Sequence, residues 1–399
     1  MSGWKTTRLS EFCRTGTGGT PSRSNLERYY EGGTIPWVKS GELRESVINK
    51  TEEHVTEAAL NETNVKLVPA GALLLAMYGA TVGRLGILGI EATTNQAVCH
   101  IIPDPKTADV RFMFHALSNQ VSALIARSVG GAQPNISQGI IKDLELSLPP
   151  LHEQRRIAHV LDQAEVLRAK RRAALAQLDS LTQSIFLDLF GDPISNPKGW
   201  PKVELGNLLE NIDSGWSPKC LDRPVENGEW GILKLGAVTW CEYDPAENKA
   251  LPYDIDPDPS LEVKVNDLLF ARKNTYELVA ACALVRKTPP RLMMSDLIFR
   301  LRLRSDVEIE PAFLHQLLIF PTKRREIQKM AGGSAGSMPN ISKGRLQHAI
   351  VEQPPISLQR EFARRVAAVE KLKAVQRASL AELDALFASL QHRAFRGEL

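Results

Sequence analysis

The sequence predicts an α+β chain built as two copies of one unit in a pseudo-two-fold repeat. Each copy is a mixed strand-and-helix globular part followed by a long helix, and the two helices pair antiparallel as a coiled-coil spacer. Three observations carry this reading. Short motifs recur in the same order about 200 residues apart. The globular stretches are rich in Gly, Pro and short apolar runs. Two stretches of about 40 residues, each opening after a Pro-Pro pair, keep heptad spacing.

The repeat is plainest at Pro134-Asn135-Ile136-Ser137 and Pro339-Asn340-Ile341-Ser342, a shift of 205. The same shift carries Pro149-Pro150-Leu151 onto Pro354-Pro355-Ile356 and Gln154-Arg155 onto Gln359-Arg360. It also carries Leu175, Leu178 and Leu181 onto Leu380, Leu383 and Leu386, and Phe190 onto Phe395. Nearer the start the shift is smaller: Trp4 and Leu9 map to Trp200 and Leu205 at 196, and Gly71–Leu74 to Asn266–Leu269 at 195. The drift implies about ten residues inserted in the middle of the second copy. Four segments follow: 1–148, a helix within 149–192, 193–351, and a second helix within 352–399.

Within the globular parts, Leu73–Ala76, Gly86–Ile90 and Leu268–Ala271 read as short strands, and Arg111–Arg127 and Pro311–Met330 as helices. Pro can precede or open a helix but breaks its interior, so the long helices begin after Pro150 and Pro355. They run to about Phe190, before Gly191-Asp192-Pro193, and to about Arg396-Gly397. Steps of four and three from Ile157 reach Leu161, Ala164, Arg168, Arg171, Leu175, Leu178, Thr182, Ile185 and Leu189. From Val366 they reach Val369, Lys373, Gln376, Leu380, Leu383, Phe387 and Leu390. The expected seam residues are Leu161, Leu175, Leu178 and Ile185 in one helix and Val366, Leu380, Leu383 and Leu390 in the other. Forty helical residues span about 60 Å, more than a domain of this size requires. Polar breaks at Arg168/Arg171 and Lys373/Gln376 are placed to fix register.

Composition narrows the function. Over 399 residues, hydrophobic residues make up 43% and charged residues 24%, as in ordinary folded protein. A net charge of +3 does not by itself point to nucleic acid, so any such footprint must be local. Clusters at Arg168–Arg172, Arg300–Arg304, Lys323–Arg325 and Arg360–Arg365 read either as solvated helix faces or as phosphate contacts. Five widely spaced cysteines, with no CxxC, fit reduced and mostly buried thiols in a cytosolic protein. No signal peptide is expected, and no apolar run approaches 18 residues.

Enzyme motifs fail one by one. None of the Pro-Pro pairs has the preceding polar and following aromatic residue that an amino-methyltransferase uses on its target amine. Pro257-Asp258 and Glu262-Val263-Lys264 lie too close to place two carboxylates on one metal from adjacent strands. The glycine-rich runs lack Gly-Lys-Ser/Thr, the histidines show no metal-ligand spacing, and no GxSxG occurs.

Against this background one resemblance is specific. Gly18-Gly19-Thr20-Pro21-Ser22, Tyr30, Gly33, Ile35-Pro36-Trp37-Val38 and Gly79-Ala80-Thr81-Val82-Gly83 resemble the opening of target-recognition domains in specificity (S, HsdS) subunits of type I restriction–modification enzymes. Gly131–Ser137 and Leu148–Ala158 resemble the junction of such a domain with its spacer helix. The second copy departs, with Ser214-Gly215-Trp216-Ser217-Pro218-Lys219 for the first run and Gln359-Arg360-Glu361-Phe362 for Gln154–Ile157. The resemblance implies a bacterial or archaeal cytoplasmic, non-catalytic subunit. Each domain would read half of an asymmetric bipartite site on double-stranded DNA. The helices would set the gap and dock two adenine-methyltransferase (M) subunits, which use S-adenosylmethionine. Two restriction (R) subunits, using ATP and Mg, could join. No cofactor or metal is expected on this chain.

Amides pair with adenine, and Arg or Lys with guanine. The expected DNA-contacting residues in the first copy are Gln133, Asn135, Ser137, Gln138, Lys39, Ser40 and Arg84. In the second they are Arg272, Lys273, Asn274, Lys234, Asn340, Ser342 and Lys343. Asn135 and Asn340, identical in modules that should read different bases, are also expected to cap the next segment or hold the loop. Gln154, Arg155, Gln359 and Arg360 are expected at a subunit interface, or the arginines in structural ion pairs. The rival reading is a coiled-coil scaffold whose globular ends bind proteins.

Overall fold

The computed structural model describes residues 4–44, 47–127, 135–226, 228–333 and 338–399. The helices used below are α1 (Val110–Ala126), α2 (Gln138–Lys142), α3 (Leu151–Phe190), α4 (Pro311–Ile319), α5 (Pro321–Gln328), α6 (Lys343–Gln347) and α7 (Ile356–Arg396). Both long helices start directly after their Pro-Pro pairs. Each ends on a glycine in the left-handed region, Gly191 at φ +77° and Gly397 at φ +72°, where a side chain would be strained. No helix among the described residues is long and apolar enough to cross a membrane.

The chain divides into two compact units, Met1–Arg172 with Ala378–Leu399, and Ala173–Arg377. In unit 1, strands Cys13–Thr17, Val98–Pro103, Leu73–Ala76, Leu85–Leu88 and Val47–Ile48 form one sheet in that order. Strand Ile35–Val38 lies between Glu53–Val55, antiparallel, and Thr93–Thr94, parallel. Lys5–Arg8 pairs with Glu145–Leu148, bringing the start of the chain beside the entry to α3. The core gathers Leu73, Leu75, Cys99 and Ile101 from the sheet, Phe112 and Leu117 from α1, and Ile157 and Leu161 from α3. The last turns of α7 complete it with Phe387, Leu390, Ala394 and Phe395.

Unit 2 repeats the scheme. Leu209–Ser214, Ile298–Leu303, Leu268–Ala271 and Cys282–Leu284 form a four-stranded sheet, with no partner equivalent to Val47–Ile48 among the described residues. Gly231–Leu233 lies between antiparallel Asn248–Ala250 and parallel Leu292–Met293. Lys202–Glu204 pairs with Ile350–Glu352. The core is completed by the end of α3 and the start of α7. Phe190 stands 4.7 Å from Phe313, and Phe186 5.1 Å from Phe320 and 5.7 Å from Phe362, centroid to centroid.

The helix segments inside each unit are antiparallel. In unit 1, Arg168 Nε donates to Asp384 at 2.6 Å and its guanidinium lies 4.4 Å over the Phe387 ring. In unit 2, Lys373 Nζ meets Asp179 at 2.7 Å. The opposed residue numbers add to 552 in each case. A polar residue in each seam therefore has its own acidic partner on the facing helix, and a register slip would strand the charge. Leu161 and Val366 are buried, while Leu175, Leu178, Ile185, Leu380, Leu383 and Leu390 are half-buried.

One expectation changes. The helix expected over Pro311–Met330 is broken into α4 and α5. Pro321 cannot accept a position inside a helix, and Phe320 before it is extended at φ −60°, ψ 131°. The extra residues of the second copy enter its middle in two steps. The offset between equivalent strands is 195 at Ala76/Ala271 and 200 at Val98/Ile298, and reaches 205 at Ile136/Ile341. It grows in separate loops, where added length costs little.

Gln154 and Gln359, expected at a subunit interface, are instead fully buried braces. Gln154 Oε1 accepts from the Asp109 backbone N–H at 2.8 Å, and its Nε2 donates to the carbonyls of Thr107 and Pro149 at 2.9 and 2.8 Å. Gln359 likewise accepts from Glu310 N at 2.9 Å and donates to Pro354 O at 2.7 Å. Each ties the first turn of a long helix to the first turn of α1 or α4. Their repetition reflects a shared internal bond. Arg155 and Arg360 are exposed, Arg155 3.9 Å from Asp109.

Gln154→Met should strand three backbone groups and destabilise unit 1, at about 1–3 kcal/mol per buried group left unpaired; a denaturant titration showing no loss would refute the brace. Acid should also unfold the protein early. Burial lowers the His115 imidazole below its ordinary value and pushes that of His315 down to about 4. An unfolded histidine binds its proton near pH 6.5, so stability is fully present above that value and is lost as pH falls toward 4. Melting temperature should drop between pH 7 and pH 5, and less steeply in His315→Gln.

Candidate nucleic-acid interface

Each unit carries the same backbone junction at the end of its central strand. In unit 1, Met77 N donates to Ala97 O at 2.8 Å, and Met77 O accepts from Ile136 N at 2.8 Å. In unit 2, Arg272 N donates to Leu297 O at 3.1 Å, and Arg272 O accepts from Ile341 N at 2.8 Å. Ile136 and Ile341 are fully buried. The next residue caps a short helix: Ser137 Oγ accepts from Ile140 N and Ser342 Oγ from Arg345 N, both at 3.3 Å. The repeated Pro-Asn-Ile-Ser is thus a docking motif, with Ile as the anchor and Ser as the cap. The capping role expected of the asparagines belongs to the serines.

In unit 2 the junction brings Arg272, Lys273, Asn340, Ser342 and Lys343 together. The Asn340 backbone pairs with Gly332 in both directions at 2.9 Å and bridges to Lys273. Its Oδ1 accepts from Arg272 Nε at 3.2 Å, which is the loop-holding role. The Arg272 guanidinium and the Lys343 ammonium lie 5.0 and 5.9 Å from the centroid of Phe299. Sequence reading missed Phe299, whose place in a strand gave no sign that its ring face serves the loops. Asn274 is a correction: it is buried, donates to Thr239 Oγ1 at 3.4 Å and accepts from Thr275 N at 2.8 Å. Its side chain shapes the loop and is not available to a base.

In unit 1, Asn135 is exposed beside the same junction, and Gln138, half-buried, donates to Thr15 Oγ1 at 3.2 Å. Gln133 lies outside the described residues. Arg84 is exposed after the turn at Gly79–Gly83. Lys39 and Lys234 both follow the central strand of a three-stranded sheet. Lys39 is held by Glu53 at 2.9 Å and Glu52 at 3.0 Å, and its hydrogen bond holds the Glu53 carboxyl below its usual range. Ser40 is half-buried next to it, and Lys234 is exposed, 3.7 Å from Glu247.

The basic clusters are largely committed to partners. Arg300 is buried, 2.9 Å from Asp213 and 3.3 Å from Asp267; Arg302 shares Asp213, and Arg304 pairs with Asp306. Lys323 is buried against Glu352 at 3.1 Å. Arg324 donates to the carbonyls of Glu277, Leu278 and Val279. Arg364 and Arg365 pair with Glu361. Charge runs in the sequence therefore overstate the cationic surface.

Two similar α+β modules, each with a cluster of loops at the end of its central strand and each closed by antiparallel helix segments, define a repeated-module protein. Residues 1–177 match the family described as Type I restriction modification DNA specificity domain. The specificity subunit of the type I restriction enzyme EcoEI of Escherichia coli is 36% identical over 168 residues, which are 42% of this chain and 28% of that protein. The EcoKI specificity subunit of E. coli strain K12 is 23% identical over all of this chain and 89% of its own length. The solved S subunit of a type I restriction–modification system from M. genitalium shares the fold, with a TM-score of 0.59 at 16% identity over 98% of this chain and 96% of that one. Over residues 1–177 the chain is thus similar to type I DNA specificity domains, and over its whole length it shares the fold of a solved S subunit. Its match to the EcoEI subunit spans under a third of that protein's length.

Removing one cap, Ser137→Ala or Ser342→Ala, should lower stability by about 1 kcal/mol, read as a shift in the denaturant midpoint. A shift of similar size in both variants is the mark of a shared structural role, and an unchanged midpoint would contradict it.

Proposed function

We propose that this chain is the non-catalytic DNA-reading subunit of a type I restriction–modification complex. Each module contacts one half of a bipartite, asymmetric site in double-stranded DNA, and the paired helices hold the two halves at a fixed gap. The observation that carries this reading is the pair of equivalent junctions. The backbone bonds are the same in both modules, while the side chains around them differ, as two readers of different half-sites require. Bases are read by edges presented in the grooves, and phosphate contacts position without specifying. On this reading Arg84 and Asn135 in the first module and Arg272, Lys273 and Lys343 in the second make such contacts. The helices also dock two methyltransferase subunits, which supply S-adenosylmethionine chemistry on adenine. Restriction subunits using ATP and Mg join the same assembly in the cytoplasm.

The antiparallel register gives a ruler test. Residues 175–181 face residues 371–377, since opposed numbers add to 552. Deleting both heptads together preserves the pairing and shortens the helices by about 10 Å, close to three base pairs at about 3.4 Å each. With the neighbouring methyltransferase co-expressed, mapping of methylated adenines should show both half-sites unchanged and the gap reduced by about three base pairs. An unchanged gap refutes the ruler. Methylation that is the same without this chain refutes the DNA-reading role and favours a protein scaffold.

A further inference from the structure

The two junctions differ most sharply at one position. Met77 and Arg272 occupy the same backbone site, each bonded to the loop before the adjacent sheet strand, Val98–Pro103 or Ile298–Leu303, and to the buried isoleucine of the docking motif. Met77 is buried and apolar. Arg272 is half-exposed and cationic. A site that two modules share in backbone but not in side chain is where they can differ in what they bind.

The guanidinium of Arg272 is oriented rather than loose. Nε is used by Asn340 Oδ1 at 3.2 Å, and one face lies 5.0 Å from the Phe299 ring. Nη1 has only a 3.5 Å contact with Asp296 O, and Nη2 has no protein partner among the described residues. No acidic side chain among them pairs with it, in contrast to Lys39, which Glu52 and Glu53 hold in the first module. The outer edge thus offers two N–H groups in a fixed plane. A guanidinium fork also fits two phosphate oxygens, but the neighbouring Lys273 and Lys343 already supply charge for phosphate contacts. A planar donor pair matches two acceptors side by side, and among base edges in the major groove that pattern belongs to guanine, through N7 and O6.

We propose that Arg272 reads a guanine in the half-site of the second module, with Asn340 and Phe299 as its positioning residues. The proposal rests on the DNA-reading function above. Its test uses the complex of this chain with its co-expressed methyltransferase subunits. Methylated sites are mapped for the native chain, Arg272→Ala and Arg272→Lys. One guanine in one half-site should become degenerate in both variants, the other half-site staying intact; lysine keeps the charge but loses the fork.

Binding of the native complex is then measured on duplexes with 7-deazaguanine, which lacks N7, at each guanine of that half-site in turn. One replacement should weaken native binding about tenfold or more and leave Arg272→Ala binding unchanged. Unaltered motifs in both variants, relaxation at a base other than guanine, or native binding insensitive to every replacement would overturn the assignment. The native-complex measurement stands even if a variant does not assemble. Methylation independent of the chain would instead overturn the DNA-reading function itself.

Discussion

Each globular core is closed by segments of both long helices. Unit 1 is completed by Phe387, Leu390, Ala394 and Phe395, more than 200 positions beyond the strands they cover. Unit 2 takes Phe186 and Phe190 from the helix that follows the first module. Burying a large apolar side chain is worth about 1.5–3 kcal/mol, so each unit draws a substantial part of its stability from the antiparallel helix packing. The glutamine braces, the glycine stops and the charged seam pairs all serve to bring α3 and α7 into that packing at one register. Folding is thereby committed to long-range contacts, which slow it relative to a protein of local contacts.

The electrostatics follow from the same economy of partners. The chain is only slightly basic, and most of its arginine and lysine clusters are bound to carboxylates or backbone carbonyls within their own unit. Arg272, in the loop after the central strand of unit 2, keeps open donors on its outer edge. On the proposed function, affinity would come from a few placed contacts, and selectivity from their orientation by neighbours such as Asn340 and Phe299.

Comparison of the two modules separates structural from functional residues more sharply than either alone. Positions identical in both, the Ile and Ser of the docking motif and the glutamine at the helix start, prove to serve the fold, as anchor, cap and brace. That logic was legible in the sequence for Asn135 and Asn340 but was not extended to Gln154 and Gln359, because a glutamine early in an exposed-looking helix gives no local sign of burial. Asn274 misled for a similar reason: beside Arg272 and Lys273 it resembles a base reader, yet its side chain turns inward to Thr239. The break between α4 and α5 was written in Pro321 and obscured by the apolar periodicity on either side.

The sequence by itself determined the repeat, the two long helices with both ends, and the apolar seam along each. These are local or periodic features, fixed by backbone stereochemistry, by proline and glycine, and by heptad spacing. Tertiary structure alone decided which segments of the helices close which core, which charges are neutralised within the fold, and which side chain at the repeated junction points outward. Those outcomes depend on partners scores to hundreds of residues away, such as Asp384 for Arg168 and Asn340 for Arg272, and no pattern near either residue encodes them.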